Sequence, residues 1–557
     1  MILGLDVGGT QTDAVLIEGS HVVAETKIPT ESDLLETLRR ALKKTAADLD
    51  PHGLERMAFS TTIATNAVVQ ERLDPAGMIV SAGPGMDPRA FSVGPSYHLV
   101  PGFLDHQGIE VRPLDRQAVE DASSRIRRDG IGLLGVVGKF SVRNPCHELR
   151  IGEWLGPAFS HIAYGHRISG ALNFPRRVAT AYLNASLYRV HQRFQSALLR
   201  ILEEEKLEAP RYLLKPDGGT VALERTGDSP AGMVQSGPAA SIMGALALDG
   251  CEGSTVVLDI GGTTTDFSVV LDGVPLLDPH GIRIGPYQTL IRSLMTRSIG
   301  VGGDSEVRTD EKRRLKIGPQ RKGPPMAFGG PCATPTDAMV ALGLLEHGNK
   351  SRARDAMNAV GTPRGWDPLQ TARNVLEHTA KIIADAVQAF VYELNSRPVY
   401  TIHEVLHEKR IEPSSAVLIG GPAPQLMEYV EKALGLPCRY PSHHAVANAI
   451  GAAVSRVTSE IVLQADTQRG TVVIPEADIQ QEIDSRFDTD QAISLAKEVL
   501  TAQSLRSGAA PESLDISVLE LQCFNMIRHF SRTGRNIRLK MSITPGLVPE
   551  WRKDLHP

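Results

Sequence analysis

At 557 residues, with 42% hydrophobic and 22% charged residues, the chain is long enough for three or four soluble domains with sizeable cores. A net charge of −5 and a pI near 6.4 argue against a general nucleic-acid binder. No apolar run reaches the roughly 18 residues of a membrane helix, and Asp6 interrupts an N-terminal run that no basic region precedes, so neither a signal nor a membrane span is expected and the cytoplasm is the expected compartment.

The chain opens on an apolar run ending at Asp6, a Gly8-Gly9-Thr10 turn, and a second run that starts Gln11-Thr12-Asp13. The same phrase returns as Asp259, Gly261-Gly262-Thr263 and Thr264-Thr265-Asp266. Each copy reads as a β-hairpin whose tip carries little side chain. Glycines let backbone amides approach a ligand and threonine hydroxyls add donors, which suits a polyphosphate. The acidic residue before each tip suits a divalent cation that bridges to the phosphates. A dinucleotide-binding loop is excluded because strand, and not helix, follows the glycines. No Lys follows them either, so the P-loop signature is missing.

Between the copies, 34–42 has helical spacing with Ser32 as its expected N-cap. A strand then ends at Ser60, and Thr61, Thr62, Thr65 and Asn66 precede or open a helix expected to start near Thr65, where anions are favoured. Residues 76–82 read as a strand, 83–114 as a Gly/Pro-rich loop over a site, 115–128 as a helix and 132–140 as a buried strand. Arg143, Asn144, His147 and Glu148 follow that strand's C-terminal end, a place where ligands collect in α/β sheets, although capping and surface pairing also account for them. A long helix is expected over 178–207, strand-then-glycine at 212–220, and a small-residue helix over 242–248 after Ser236, suited to close packing or to a hinge.

Beyond the second hairpin, Gly302, Gly303 and Asp304 suit the flat face or ribose of a nucleotide. The basic stretch 308–325 reads mainly as a solvated loop. Helices are expected from Thr336, over 369–394, over 424–434 and over 441–456, with Gly420-Gly421 ending a strand at 416–419. His443 and His444 are neighbours and do not face each other on a helix, and His161 and His166 have no ligand-spaced partner, so none of them marks a metal. The five cysteines, Cys146, Cys251, Cys332, Cys438 and Cys523, have no Cys-x-x-Cys spacing and read as reduced thiols. From about 461 an α+β unit is expected, with a strand at 470–474, a helix at 492–505 and a hairpin closed near Thr533-Gly534.

DVGGTQTD at Asp6, STTIATNA at Ser60, FSVRNPCHE at Phe140, KPDGGT at Lys215, SGPAAS at Ser236, LDIGGTTTD at Leu258, GVGGDS at Gly300, PTDA at Pro335 and IGGPAP at Ile419, in this order, resemble the hydantoinase A/oxoprolinase family, over about residues 1–456. That family lies within the acetate kinase, sugar kinase, heat-shock chaperone and actin superfamily. The resemblance implies an α/β fold of two ribonuclease-H-like domains around a nucleotide cleft, divided here as 1–235 and 236–459, with 460–557 as a C-terminal α+β appendage. It implies ATP and Mg2+ as cofactors, Asp6 and Asp259 as organisers of the cation, and Gly8, Gly9, Thr10, Gln11, Thr12, Gly261, Gly262, Thr263 and Thr264 around the phosphates. Gly302, Gly303, Asp304, Gly420 and Gly421 then flank the nucleoside, and Asp13 or Asp266 is the candidate for orienting the attacking group. Thr61, Thr62, Thr65, Asn66, Arg143 and Asn144 are the substrate-side candidates.

The implied activity is ATP-dependent opening of a cyclic amide such as a hydantoin or 5-oxoproline, or activation of a related carbonyl. The implied partners are that small molecule and a hydantoinase B-type subunit in a homo- or hetero-oligomer. Alternatives sharing the nucleotide core are a reactivating ATPase acting on a partner enzyme, a small-molecule kinase, and a radical-enzyme activator, which the scattered cysteines disfavour.

Overall fold

A computed structural model of the protein describes every residue except 32, 46–52, 397–409, 529–530 and 553–557. The first sheet is built from β1 (Ile2–Val7), β2 (Gln11–Glu18) and β3 (His21–Pro29), and, after α1 (Leu34–Thr45), from β4 (Arg56–Thr61). The expected cap Ser32 lies outside the described residues; Asp33 accepts from the amides of Leu35 and Glu36 instead. Helix α2 (Ile63–Val69) starts earlier than the sequence suggests, so Thr65 and Asn66 lie inside it.

A second, parallel sheet is inserted next. It comprises β5 (Gly77–Ser81) and β6 (Ser96–Leu99), then, past the small ribbon β7 (Phe103–Leu104) and β8 (Glu110–Arg112) and helix α3 (Arg116–Arg128), β9 (Leu133–Gly138), and, past α4 (Cys146–Leu155), β10 (His161–Tyr164), in the order β10-β9-β5-β6. The stretch 83–114 is therefore not a plain loop: its polar, Gly-punctuated surface hides β6, which pairs along β5. The long helix α5 (Phe174–Glu204) returns to the first sheet, where β11 (Arg211–Leu214) and β12 (Thr220–Ala222) complete the order β12-β11-β4-β1-β2-β3.

Helix α6 (Ser236–Asp249) begins at Ser236, six residues before the apolar run that marks it in the sequence. It leads into β13 (Ser254–Ile260) and β14 (Thr265–Leu271), followed by β15 (Val274–Pro275), the ribbon of β16 (Arg283–Ile284) and β17 (Tyr287–Gln288), and β18 (Thr296–Ile299). The basic stretch then forms the hairpin β19 (Val307–Thr309) and β20 (Leu315–Ile317). Helices α7 (Pro335–Leu342), α8 (Lys350–Gly361) and α9 (Pro368–Asn395) precede β21 (Ser415–Ile419), α10 (Ala423–Leu434), β22 (Cys438–Arg439) and α11 (Ala447–Val454). This sheet runs β15-β14-β13-β21-β22, with β18 on β14. In both major sheets the hairpin strand lies parallel to a later strand, β1 with β4 and β13 with β21. Both units thus have the α/β strand arrangement expected of ribonuclease-H-like domains.

The last unit pairs β23 (Glu460–Asp466), β24 (Thr471–Ile474), β25 (Ile479–Glu482), β26 (Ile516–Arg528) and β27 (Ser531–Ile543) with helix α12 (Thr489–Arg506). Its hairpin does not close at Thr533-Gly534. Gly534 pairs with Met526 within the ladder, and pairing continues to Arg528 and Ser531.

Helices α6 and α11 lie between the two major sheets. Their cluster takes in Val15 and Ile17 from one sheet and Val257, Val270, Val417 and Ile419 from the other. The helices touch through backbone. A Cβ on Gly244 would sit 2.0 Å from Ala447 O, one on Gly451 2.1 Å from Ala240 O, and one on Gly4 of β1 2.4 Å from Ala449 O. Gly451→Val is accordingly expected to destabilise by about 1–3 kcal/mol or more, because backbone cannot move aside as a side chain can. Gly156→Ala, where no atom lies within 4 Å of the added carbon, should leave the midpoint of chemical denaturation nearly unchanged.

Candidate functional site

The two hairpins close alike: Gly8 N donates to Gln11 O at 3.0 Å and Gly261 N to Thr264 O at 2.9 Å. In both, antiparallel register sets carboxylate opposite carboxylate, Asp6 against Asp13 and Asp259 against Asp266. Like charges in such pairs repel, and burial removes the water that would screen them. Burial pushes the Asp6 carboxyl up, with the charge of Asp259 adding to it and hydrogen bonds from Ser60 and Asn448 opposing it. Asp13 rises to about 6 and Asp266 to about 7, both chiefly through burial.

The two acidic turns face each other. Asn448 Nδ2, on α11, donates to Asp6 Oδ2 at 3.5 Å and to Asp259 Oδ2 at 3.4 Å, so one side-chain amide reaches a carboxylate from each sheet. Ser241 of α6 donates to Asp259 Oδ2 at 2.6 Å. Asp6 Oδ1, by contrast, is buried without a hydrogen-bond partner among the described residues. A buried carboxylate oxygen left open beside a second carboxylate, next to two amide-rich turns, fits a hard divalent cation.

The second members of the pairs have different surroundings. Lys27, opposite Asp13 on β3, donates to both its oxygens at 2.8 and 2.9 Å and reaches Ala445 O at 2.9 Å. Opposite Asp266 on β18 stands Ser298, a neutral hydroxyl. Asp266 lines a cleft of about 750 Å³ together with Thr62, Thr65, Gln235, Gly237 and Pro238.

The expected nucleoside-side residues pack around the second turn. Gly303 N donates to Gly261 O at 2.9 Å and Asp304 N to Gly262 O at 2.6 Å. A Cβ on Gly420, whose φ is +90°, would lie 2.3 Å from Ile260 O and 2.8 Å from Asp259 Oδ1. Gly303 abuts Thr336 and Pro422, which brings the turn at Gly420 and Gly421 to the same place. Asp304 accepts from Arg321 at 3.0 Å and Thr336 at 3.2 Å, and its carboxyl is raised by burial against the pull of Arg321. Arg321 also donates to Thr10 Oγ1 at 3.2 Å, tying the two hairpin regions together. Arg321 thus differs from the solvated loop residue its neighbours suggest.

Other candidates are placed less openly. Gly9 and Gln11 are exposed at the first tip, and Thr263 and Thr264 are half-buried at the second. Thr12 is fully buried, its hydroxyl 2.9 Å from that of Thr30, and so packs behind the tip. Thr61 is buried and its hydroxyl caps Ile63 N, while Asn66 donates to Thr62 at 3.4 Å. Arg143 and Asn144 are not at the cleft. Asn144 donates to Gly108 O at 2.9 Å, and Arg143 lines a separate cavity of about 350 Å³ with Asp466 and Arg538 of the last unit. Of the histidines, His443 meets Glu25, His444 Nδ1 donates to Gly420 O, and His166 sits between Glu148 and Asp478.

Asn448, Ser241 and Lys27 are the functional candidates that sequence reasoning missed. A lone amide in the run Ala447-Asn448-Ala449-Ile450 is the signal that marks Asn448, since an apolar helix seldom carries one without a partner to hold. Lys27 is visible only once the β2/β3 register is known.

Among the described residues no helix is long and apolar enough to cross a membrane. The chain is 25% identical over 466 residues to caprolactamase subunit alpha of Pseudomonas jessenii, covering 75% of this chain and 64% of that protein. It is 25% identical over 467 residues to the acetophenone carboxylase gamma subunit of Aromatoleum aromaticum, covering 71% and 62%. The chain therefore spans just under two thirds of the length of these curated relatives. Among solved structures, nucleotide-free acetone carboxylase aligns with a TM-score of 0.70 at 16% identity over 99% of this chain and 88% of that one. The ATP-dependent caprolactamase from Pseudomonas jessenii aligns with 0.70 at 19% identity over 97% and 87%. At these identities the structural likeness establishes the fold. The hydantoinase/oxoprolinase N-terminal region model matches residues 2–157 and the hydantoinase/oxoprolinase model residues 177–461; with both hairpins, β5, β6 and β9 of the inserted sheet, and α11 inside those spans, the chain belongs to the hydantoinase/oxoprolinase family.

Proposed function

We propose that the protein is an ATP-dependent enzyme that activates the carbonyl oxygen of a cyclic amide, such as a hydantoin or lactam, or of a related carbonyl compound, as one subunit of a larger enzyme. The observation that carries this reading is the pairing of Asp6 and Asp259 across the two sheets through one amide, Asn448, beside a cleft into which Asp266 opens. Caprolactamase subunit alpha and the acetophenone carboxylase gamma subunit are by name subunits, which supports the assembly.

Asp6 and Asp259 would hold Mg2+, the open Asp6 Oδ1 being the first ligand available. The amides of the turns at Gly8, Gly9 and Thr10 and at Gly261 to Thr264 would cradle the phosphates. Gly302, Gly303, Asp304, Gly420 and Gly421 would take the nucleoside side. ATP supplies, when bound, the phosphoryl group that turns a poor oxygen leaving group into a good one. The chain's own contribution is position and proton handling. Thr62, Thr65 and the start of α6 line the cleft that would orient the carbonyl compound. Asp266 Oδ would take the proton of the attacking group, since a carboxyl near 7 is matched to that task at neutral pH. Asp13 is the weaker base candidate because both its oxygens are held by Lys27.

Asp6→Asn and Asp259→Asn should each stay folded and lose Mg2+-dependent ATP turnover by about 100-fold or more. Turnover by the wild-type chain with its B-type partner, assayed against lactams, hydantoins and ketones, should rise with one of these compounds. Stimulation by a protein client alone would overturn the reading.

Asp266 also yields a pH test with a defined sign. A carboxyl with an unfolded value of 3.8 and a folded value of about 7 binds more protons folded than unfolded between those values. Its contribution to stability is complete below 3.8 and lost as pH rises through about 7. Asp266→Asn should therefore be more stable than the wild type at pH ~8, by on the order of 1–3 kcal/mol, with the gap closing toward pH ~4. In the wild type, kcat/KM should climb with pH and level off above about 7, whereas the residual activity of Asp266→Asn should not follow that curve.

A further inference from the structure

The inserted region, beside its sheet, holds a cluster of side chains that the proposed reaction does not use. Glu110 of β8 and Cys146 and His147 of α4 each offer a ligand atom, and these three atoms all lie within 4.8 Å of one another. We propose that Glu110, Cys146 and His147 form a second, separate metal site, for a thiophilic divalent cation with Zn2+ foremost. It does not rest on the functional reading above.

The donor set selects the ion. A carboxylate, an imidazole nitrogen and a thiolate together suit a borderline-soft cation and not Mg2+, which takes oxygen ligands. Three protein ligands leave the fourth tetrahedral position to water. Tetrahedral bond lengths put ligand atoms about 3.6 Å apart, so the cluster needs shifts of only about 1 Å. One of them is the opening of the 2.9 Å contact between His147 Nε2 and Glu110 Oε1.

The surroundings are those of a supported site. His147 is fully buried, and its other nitrogen, Nδ1, lies 3.3 Å from Ser81 Oγ at the end of β5. Donation from Nδ1 to Ser81 would turn the Nε2 lone pair toward the cation, the way ligating histidines are usually oriented. Arg150 donates to Glu110 Oε1, the oxygen that also meets His147. The guanidinium can stay on Glu110 after the cation enters, fixing the carboxylate from outside. The two elements that carry the ligands are tied before any ion arrives: Asn144 donates to Gly108 O at 2.9 Å and accepts from Cys146 N at 3.1 Å. Glu110 and Cys146 are half-buried, which leaves a way in. On binding, the thiol proton leaves to solvent.

The test uses the full chain, stripped with a chelator and titrated with Co2+. With excess Mg2+ present to fill the aspartate site, the expected result is one equivalent of Co2+ bound with intense tetrahedral visible bands and a thiolate-to-cobalt charge-transfer band in the near ultraviolet. Cys146→Ser should lose the near-ultraviolet band although four other cysteines remain. Glu110→Gln, on the more open side of the cluster, should keep the band and lose Zn2+ affinity by about 10- to 100-fold or more in competition with a chromophoric chelator. Absence of the charge-transfer band in the wild type, or titration curves for either variant equal to the wild type's, would overturn the proposal.

Discussion

Four aspartates brought together by two hairpins are the constraint on which this molecule is arranged. Antiparallel register forces Asp6 onto Asp13 and Asp259 onto Asp266, and the facing of the turns brings Asp6 near Asp259. Repulsion of this kind in a dry interior is worth several kcal/mol unless donors or cations offset it. The chain supplies Lys27, Ser241, Ser60 and the shared amide of Asn448, and leaves Asp6 Oδ1 open. A fold that concentrates acid where its own donors do not suffice would be more stable with a cation bound, as proposed for Asp6 and Asp259, since a ligand that binds the folded form alone shifts the balance toward it. Local unfavourable electrostatics of that sort belongs to a working site and not to a core.

The backbone contacts between helices bear on the same point. Asn448 is one residue from Ala447 and one from Ala449, whose carbonyl oxygens would collide with a Cβ on Gly244 and on Gly4 respectively. Glycines at 4, 244 and 451 therefore fix how deeply α11 sits against β1 and α6, and so where the Asn448 amide ends up. A longer side chain at any of them would push the helix outward and separate that amide from one carboxylate or the other. Small residues here serve placement by close packing, because α6 and α11 touch both sheets and hold the two hairpins at a set distance.

Most of this framework was legible in the sequence because it rests on local rules. Apolar runs broken by Asp, Gly-Gly and Thr mark hairpins wherever they occur, and the 3.6-residue spacing of α3, α5 and α9 needs no partner to be seen. What stayed hidden depends on contacts distant in the chain. Strand β6 is short and lies in a Gly/Pro-rich stretch, so only its pairing with β5 makes it a strand. Helix α8 carries several charges, and its apolar face of Ala353, Ala356, Met357 and Val360 is too thin a stripe to stand out. Thr12 reads as a phosphate donor from the motif, yet the strand pleat turns it inward toward Thr30. Arg143 and Asn144 end a strand, as ligand-binding residues do, but their sheet is the inserted one and their partners belong to the ribbon before α3 and to the last unit.

The duplicated phrase also shows how two copies of one motif can come to differ without changing themselves. Both hairpins place an aspartate at the start of the second strand, at the same register. The distinction lies in a third strand that the phrase does not contain. On β3 the residue opposite Asp13 is Lys27, and its ammonium holds both carboxylate oxygens. On β18 the residue opposite Asp266 is Ser298, which offers a hydroxyl and no charge. One carboxyl is thereby fixed as part of the scaffold, tied through Lys27 to the segment leading into α11. The other is left half-buried at a cleft wall with its proton held to about 7. On the proposed reading, repeating the hairpin would supply a symmetric pair of cation ligands, and the strand beside each copy would decide which outer aspartate is available for proton transfer. A lysine in place of Ser298 would erase that asymmetry by pairing Asp266 as Asp13 is paired, leaving the cleft without a carboxyl poised near neutrality.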